Sequence, residues 1–379
     1  MPKGIILNER LNKDNTYSAD FIITLLAILV MSCLYHGARS VVICLISTLS
    51  CYFFEAIALK LQGKKIAFQD YSAVITGLII GLMMPATIKY SMLIIISFVA
   101  MIVAKHIFGG SGCEIFNPAA VAYVFAAICW PMQVLRYPVT TTKLSLANYV
   151  DVSTVESFSS IFNNGGKMPE LSLETVLGYV DGPIACTQIF VVFVCAIVLL
   201  LRRSVSVAAF LGFVGSYTAI SLVLPANTQM DTLSYVFYEL TTNMLLFAAL
   251  FIVSDYRFLP SGAINRFIIG FLTAGFTLIF RRVANIENPV MFAVIITNPF
   301  VDVVDNYHTR FVSFIRRLSS GESSDETNSI DIFDKILNFI LFVGRKISNI
   351  FVFLFENIKS VFVKKSDDGL INEEDDEQE

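Results

Sequence analysis

The chain has 379 residues, of which 55% are hydrophobic and only 15% are charged, and its mean hydropathy is +0.69. These values exclude an ordinary soluble protein and indicate a polytopic membrane protein. The formal net charge of −4 hides an uneven distribution: the tail 366–379 carries eight acids and no base, whereas residues 1–365 carry 27 basic and 23 acidic side chains. No basic patch for nucleic acid is present.

Ten apolar segments follow a polar lead at 1–19 and form a membrane domain over 20–317. Allowing for broken spans, we predict bilayer crossings at 20–37, 40–60, 71–89, 90–107, 116–133, 188–201, 204–224, 233–253, 263–280 and 289–304. Lysine and arginine concentrate in alternate loops, which predicts cytoplasmic termini, an outside loop at 134–187 and membrane lipid as the surroundings. Arg281 and Arg282 do not fit this distribution.

Two details of the first spans carry structural predictions. His36 lies at the turn between the first two spans, where we expect it to be solvated. Gly77 and Gly81 lie four residues apart in the third span, a spacing that favours close packing against a neighbouring helix.

A glycine-rich stretch over 105–120 interrupts the apolar pattern. It contains Gly109, Gly110 and Gly112, then Glu114, and ends in the pair Asn117-Pro118. Glycine adopts backbone angles forbidden to other residues, and proline lacks a helical N–H, so a broken or re-entrant segment is predicted. Unsatisfied backbone is costly in hydrocarbon, which makes this stretch the leading candidate for a functional centre, with an ordinary interhelical loop as the alternative.

The second half of the chain contains comparable breaks. Asn288-Pro289 opens the last apolar segment, and Asn298-Pro299 lies near its end. Breaks at similar places in two halves point to internal repeats with a site at their interface. Asp255 and Asp302 follow apolar runs; they are candidate ion carriers, although Asp255 could instead pair with Arg257 or Arg266 in an interfacial turn.

The remaining segments have weaker signals. The seven cysteines show no metal-ligand spacing, so no metal site is predicted. Residues 318–365 comprise a polar linker and an amphipathic helix expected on the cytoplasmic membrane face or on a partner, and 366–379 is expected to be a disordered acidic tail.

The motif from Phe108 to Ala119, with Trp130-Pro131-Met132 after it, resembles the signature of the D subunit of the Rnf electron transport complex and of the B subunit of the sodium-pumping NADH:quinone reductase. The resemblance covers most of 20–305. It implies an all-α fold of about ten transmembrane helices in two inverted five-helix repeats, similar to urea transporters. It also implies a bacterial cytoplasmic-membrane subunit of a ferredoxin:NAD oxidoreductase that pumps Na⁺ or H⁺, with the C, G, A, E and B subunits of the Rnf complex as partners.

The resemblance further implies FMN joined by a phosphoester to a threonine of the outside loop, where Thr142 takes the acceptor position and a flavin-attaching enzyme is a further partner. Arg136, Val139, Thr141 and Lys143 differ from the usual acceptor pattern, so weak or absent covalent attachment is predicted, with non-covalent flavin as the alternative. For flavin contacts the candidates are the glycines and amides of the breaks: Gly109, Gly110, Gly112, Asn117 and Asn298. For the ion pathway they are Glu114, Asp255 and Asp302.

Two functions of different class follow. The first is the redox-pump subunit, in which the cofactor performs the electron transfer and the protein positions it. The second is a non-flavinylated channel-like or scaffold paralogue of the same fold without redox activity, which the altered acceptor pattern favours.

Overall fold

The structure is a computed structural model that describes residues 3–64, 71–139, 144–147, 154–155, 157–163, 166, 181–185, 188–223, 231–242 and 244–305. Over these residues the protein is mostly helical. Three predictions fall outside the described residues: the acceptor Thr142, the segment 318–365 and the tail 366–379.

The described residues of the first half of the chain form six α-helices and a two-stranded sheet. The helices are α1 (Lys3–His36), α2 (Ala38–Leu61), α3 (Ser72–Met83), α4 (Tyr90–Phe98), α5 (Pro118–Cys129) and α6 (Pro131–Val134), and α4 continues as a π-helix, π1 (Val99–His106). In the long loop, β1 (Tyr137–Pro138) pairs antiparallel with β2 (Thr154–Val155).

The second half begins with the loop helix α7 (Phe158–Asn163) and ends at the last described residues. Its other elements are α8 (Ile189–Leu201), α9 (Val207–Val223), α10 (Thr232–Thr241), α11 (Leu245–Ala248), the π-helix π2 (Ala249–Val253), a 3₁₀ turn (Tyr256–Phe258), α12 (Ala263–Arg282) and α13 (Val290–Thr297). Residues 300–305 are also helical.

Each of the ten predicted segments contains one or more helices of the structure. In the described part of the chain, three helices are long and apolar enough to cross a membrane alone: Thr16–His36, Ala38–Leu61 and Ala263–Arg282. A fourth span is formed if α10 and the helix over 245–253 are taken together across a 57° bend. Five further helical segments are apolar and shorter, which identifies a polytopic membrane protein whose exact number of crossings stays a prediction.

Glycine contacts bring two helix pairs into close packing. A Cβ atom added at Gly77 of α3 would lie 2.5 Å from the Cα of Thr48 on α2, and one added at Gly81 would lie 2.9 Å from the Cα of Cys44. The predicted packing face of α3 is therefore confirmed. In the second half, a Cβ added at Gly270 of α12 would lie 2.4 Å from the carbonyl oxygen of Ala209 on α9.

The turn between α1 and α2 is buried, so the expectation of a solvated His36 is wrong. His36 is 1% exposed and Arg39 is 0% exposed. The reason lies in the elements that cover the turn: Arg39 donates to the carbonyl oxygens of Ala86 (2.5 Å) and Ile88 (2.9 Å), after α3, and to Ser145 of the long loop (2.9 Å). These bonds satisfy carbonyls that the break after α3 would otherwise leave unpaired.

Helices α5 and α13 lie side by side in opposite directions. The side chain of Asn288, before α13, donates to the hydroxyl of Tyr123 in the middle of α5 at 2.7 Å. At the other end Asn298, oriented so that both ends of its amide are satisfied, accepts from the backbone N–H of Asn117 at 2.8 Å and donates to Val294 O at 3.1 Å. The break at Asn117-Pro118, in the first half of the chain, is thus in direct contact with the break at Asn298-Pro299, in the second half.

Candidate functional site

The glycine-rich stretch forms the predicted break between π1 and α5. Gly109, Gly110 and Gly112 have φ values of 117°, 89° and 86°, in the region that strongly favours glycine. Asn117 then caps α5, its side-chain oxygen accepting from the backbone N–H groups of Ala119 (3.0 Å) and Ala120 (3.4 Å). Proline follows at the first helical position, where its missing N–H costs nothing.

A buried ion pair lies beside this break. Lys105, at the end of π1, is fully buried, and its Nζ lies 3.1 Å from Oε1 of Glu55 on α2. The same ammonium donates to the hydroxyl of Ser72 at 2.9 Å. A charge in a low-dielectric interior needs such partners, because leaving one uncompensated is strongly destabilising.

His106 shares the carboxylate of Glu55. Its Nε2 lies 2.9 Å from Oε2 of Glu55, and its Nδ1 lies 3.3 Å from the side-chain nitrogen of Gln62. An ideal Cβ at Gly110 would lie 3.2 Å from this imidazole, so the glycine allows the backbone to pass close to the ring. The imidazole and the carboxylate are therefore positioned to exchange a proton directly.

Glu114 extends the cluster toward the second half of the chain. Its carboxylate oxygen Oε1 lies 3.8 Å from Nζ of Lys105, and its side chain is 6% exposed. Glu114 also interacts electrostatically with Arg257, which follows π2. The glycine break thus places a carboxylate within ion-pair distance of Lys105 and within electrostatic range of Arg257, whose ion-pair partner is Asp255.

Asp255 completes the cluster and is fully buried. Its carboxylate accepts from Nη2 of Arg257 at 2.6 Å, from the backbone N–H of Arg257 at 3.0 Å and from the hydroxyl of Tyr17 on α1 at 2.7 Å. The alternative of an Asp255–Arg257 pair is confirmed. Arg266 instead donates to the carbonyl oxygen of Pro260.

Together these residues form a row of alternating charge, which we call the polar network: Glu55, Lys105, Glu114, Arg257 and Asp255, with His106 beside Glu55. In the described residues, no group of three or more His, Cys, Asp or Glu side chains is arranged to hold a metal ion. Ionisable side chains inside a membrane protein are costly, so a buried network of this kind is a candidate functional site.

The structure brings some of the predicted residues together and leaves others apart. Glu114 and Asp255 belong to the polar network, and Asn117 contacts Asn298. Asp302 is exposed, and it makes no hydrogen bond or ion pair with the described part of the chain. The oxygens of both asparagine side chains accept from backbone N–H groups and so hold the breaks, and a role of these residues in flavin contact stays a prediction.

Sequence reasoning missed Glu55, Lys105 and His106 as site residues. Glu55 lies in the middle of an otherwise apolar predicted span, and an ionisable residue at such a position is itself a sign of function. Lys105 and His106 open the glycine-rich stretch, but their partner is 50 or more residues away in the chain.

A second buried polar cluster explains the two arginines that do not fit the loop charges. Nη1 of Arg281 and Nη2 of Arg282 each lie 3.1 Å from Oε1 of Glu239 on α10. Nε of Arg281 donates to Oδ1 of Asn163 at 2.8 Å, and its guanidinium lies 5.1 Å from the ring centre of Phe162. Arg281 thus joins α12 to the loop helix α7 inside the protein. Because its charge is buried and paired, it says little about which side of the membrane the end of α12 lies on.

Comparison with known proteins identifies the family. The chain is 28% identical to the D subunit of the ion-translocating oxidoreductase complex of Vibrio atlanticus (strain LGP32), over 67% of this chain and 82% of that protein. It is 25% identical to the protein of the same name from Actinobacillus pleuropneumoniae serotype 5b, over 75% and 90% of the two chains. It is 24% identical to the D subunit of the proton-translocating ferredoxin:NAD(+) oxidoreductase complex of Clostridium ljungdahlii, over 68% and 77%. The model of the NQR2, RnfD, RnfE family matches residues 11–313, and the chain belongs to that family.

Proposed function

We propose that this protein is the membrane-embedded D subunit of an ion-translocating ferredoxin:NAD oxidoreductase, in which flavin-mediated electron transfer drives Na⁺ or H⁺ across the membrane. The names of its relatives and a family match over 11–313 support this proposal. The C, G, A, E and B subunits of such a complex are its proposed partners. Its proposed location is the bacterial cytoplasmic membrane, with both termini in the cytoplasm.

The proposed architecture is ten crossings in two inverted five-helix repeats, as in urea transporters. The Asn-Pro pairs at the starts of α5 and α13 support it, because one such pair lies at the N-terminal end of each of two helices that run in opposite directions. An inverted repeat places its site where the two halves meet. Asn117 and Asn298 meet there, and the polar network lies beside the break that Asn117 closes.

The polar network is the observation that carries the proposed ion transport. The Lys105 ammonium lies within ion-pair distance of the carboxylates of both Glu55 and Glu114. A cation or proton that displaces this ammonium would be held by the same two carboxylates, and movement of the π-helical segment would release it. π-Helical turns within α-helices are frequent at functional sites, and π1 carries both Lys105 and His106. Asp302, exposed at the end of the chain's last described helix, is the proposed entry carboxylate.

The test is ion uptake by inverted membrane vesicles that contain the whole complex. Glu114→Gln keeps the size of the side chain and one acceptor oxygen but removes the charge. We expect ferredoxin-driven uptake of ²²Na⁺, or acidification if protons are pumped, to fall about tenfold, which corresponds to about 1.4 kcal/mol in the barrier. Asp231→Asn, at the exposed start of α10, is the matched control. Equal uptake by the two variants would contradict the proposed role of Glu114.

The proposal includes FMN, attached at Thr142 weakly or not at all, or bound without a covalent bond. Bound FMN would supply one-electron transfer, and Gly109, Gly110 and Gly112 are the residues of the break whose lack of a side chain allows close approach. In-gel flavin fluorescence of the chain co-expressed with the attaching enzyme should be weak. The triple change Arg136→Asp, Val139→Ser and Thr141→Ala should raise it. Strong fluorescence of the unmodified chain that Thr142→Ala abolishes would overturn this part of the proposal.

The altered acceptor pattern also favours the second candidate, a non-flavinylated channel-like or scaffold paralogue without redox activity. The two candidates differ in what copurifies. The redox-pump protein should copurify with the C, G, A, E and B subunits and with flavin. The paralogue should carry no flavin in any form, as mass spectrometry of the intact chain and its extract would show.

A further inference from the structure

An apolar groove of about 630 Å³ lies between the N-terminal ends of α9 and α12. Its walls come from both helices: Val207, Ala208 and Leu211 of α9, and Ala263, Ile264 and Phe267 of α12. No residue of the polar network lines the groove, although Tyr256, which does, lies between Asp255 and Arg257 in the chain.

Helix packing explains the groove. Further along the same helices, a Cβ added at Gly212 would lie 2.5 Å from the carbonyl oxygen of Phe267, so the two backbones are nearly in contact there. Ala208 and Ala263 lie toward the helix starts, where their short side chains leave a depression above the contact. The close approach of the helices at Gly212 therefore forms the floor of the groove, and the short side chains of Ala208 and Ala263 leave the space above it unfilled.

The groove faces outward. Leu211 is 57% exposed, Ile264 is 67% exposed and Phe267 is 46% exposed. Large apolar side chains with this exposure, on two helices of a membrane protein, require a covering of lipid or of another protein.

Two arginines that have no acidic partner among the described residues line the groove. Arg266 donates through Nε to Pro260 O at 2.9 Å and stacks on Tyr256 at 4.8 Å from the ring centre, which fixes the position of its guanidinium. Arg203 also lines the groove, and neither arginine is within ion-pair distance of a carboxylate of the described residues. By contrast Arg202, the residue before Arg203, has an acidic partner, since its Nε lies 2.9 Å from Oδ2 of Asp20.

From this arrangement we infer that the groove binds an anionic phospholipid, with the headgroup phosphate between Arg203 and Arg266 and an acyl chain between α9 and α12. Charge complementarity selects the occupant: within the described part of the chain, the apolar groove carries two positive charges without an acidic partner, which suits an anionic lipid. Basic pockets between membrane helices commonly hold anionic headgroups. A protein partner would have to bring an apolar ridge and an acidic pair in the same register.

The test is native mass spectrometry of the full chain, purified in mild detergent and mixed with equal amounts of dioleoyl phosphatidylglycerol and dioleoyl phosphatidylethanolamine. We expect selective retention of phosphatidylglycerol. Arg203→Gln and Arg266→Gln should each lower its retention about fivefold, the effect expected for one basic side chain near a lipid surface. Lys60→Gln removes an exposed charge at the end of α2, away from the groove, and should leave retention unchanged.

A steric variant and a crosslink separate lipid from protein as the occupant. Ala263→Leu fills the groove without changing charge and should also lower retention. A photocrosslinking amino acid at Leu211 in the intact complex should label phospholipid. Equal retention of the two lipids, wild-type retention by both arginine variants, or crosslinking of Leu211 to another protein of the complex would each overturn the inference.

Discussion

Lys105 is a fully buried ammonium in an apolar protein, and its neighbours account for its charge. Glu55 lies 3.1 Å away, Glu114 lies 3.8 Å away and Ser72 accepts a hydrogen bond. Buried pairs of this kind need not add stability over an apolar alternative, but removal of one partner leaves an uncompensated charge. The pairing therefore makes each member of the network dependent on the others.

We expect Lys105→Met to destabilise the protein by on the order of 3–5 kcal/mol, because it removes the buried ammonium that faces two carboxylates and leaves the imidazole of His106 beside Glu55. Thermal unfolding in detergent, followed by fluorescence-detected gel filtration, measures the change. Lys60→Met, which removes an exposed lysine at the end of α2, is the matched control and should have little effect. Adding Glu55→Gln to Lys105→Met should restore part of the loss; a further drop instead would argue against the pairing.

The sequence predicts the network only where its partners are close in the chain. Asp255 and Arg257 are two residues apart, and their pairing was among the alternatives that the sequence left open. Lys105 and Glu55 are 50 residues apart, so only the packing of α2 against α4 and π1 brings them together. Asp302 has the same sequence signal as Asp255, yet it is exposed. The sequence does not distinguish the two, since an apolar run does not reveal whether the residue after it faces protein or solvent.

Among the helices and loops, the breaks and the glycine faces were predictable, whereas the π-helices were not. Glycine and proline mark breaks through their own backbone properties, and Gly77 and Gly81 share one face of their helix because residues four apart do so in any α-helix. Neither π1 nor π2 contains a residue that demands the wider turn. Their geometry arises from contacts with other helices, which a local pattern cannot show.

The contact of α9 with α12 gives a prediction with a control on the same helix. A Cβ at Gly270 would lie 2.4 Å from a backbone oxygen of α9, whereas one at Gly275 would meet nothing within 4 Å. Gly270→Ala should therefore force the helices apart and cost about 1–3 kcal/mol. Gly275→Ala should be neutral or should stabilise by up to about 1 kcal/mol, since alanine favours a helix. Similar melting temperatures for the two variants would contradict this packing.

The contact of Arg281 with α7 predicts how the long loop is held. Arg281→Met removes the bond to Asn163 and one of the two cations that neutralise Glu239. We expect faster amide hydrogen exchange in α7, by about tenfold or more for a loss of at least about 1.4 kcal/mol. Arg136→Met, at an exposed position of the same loop, should leave α7 unchanged. Unchanged exchange in the Arg281 variant would show that the loop is held by other contacts.

For the molecule as a whole, the inverted repeats and the number of crossings both stay predictions, although two of the breaks that suggest the repeats lie in contact. Asn117 and Asn298 are far apart in the chain, but each marks a break in one half, and the structure joins them. Helices such as α3, α5 and α8 have 12, 12 and 13 residues, fewer than the ~20 that a straight span needs. Hydropathy finds apolar segments of this kind. It does not say whether a short helix crosses the membrane alone or together with the segment that follows it, as α4 is followed by π1.

The membrane domain should fold without the remainder of the chain. The family model matches residues 11–313, and the contacts within the chain divide it into Met1–His308 and Thr309–Glu379. The polar network, the glycine contacts and the joined Asn-Pro breaks all lie in the first unit, so a chain that ends at Leu318 should insert and fold. Its melting temperature in detergent should match that of the full chain to within about 2 °C, because a change of about 0.5 kcal/mol moves a domain of this size by no more than that. A truncated chain that aggregates, or that is absent from the membrane fraction while Lys60→Met is present at normal levels, would show that the second unit is required for folding.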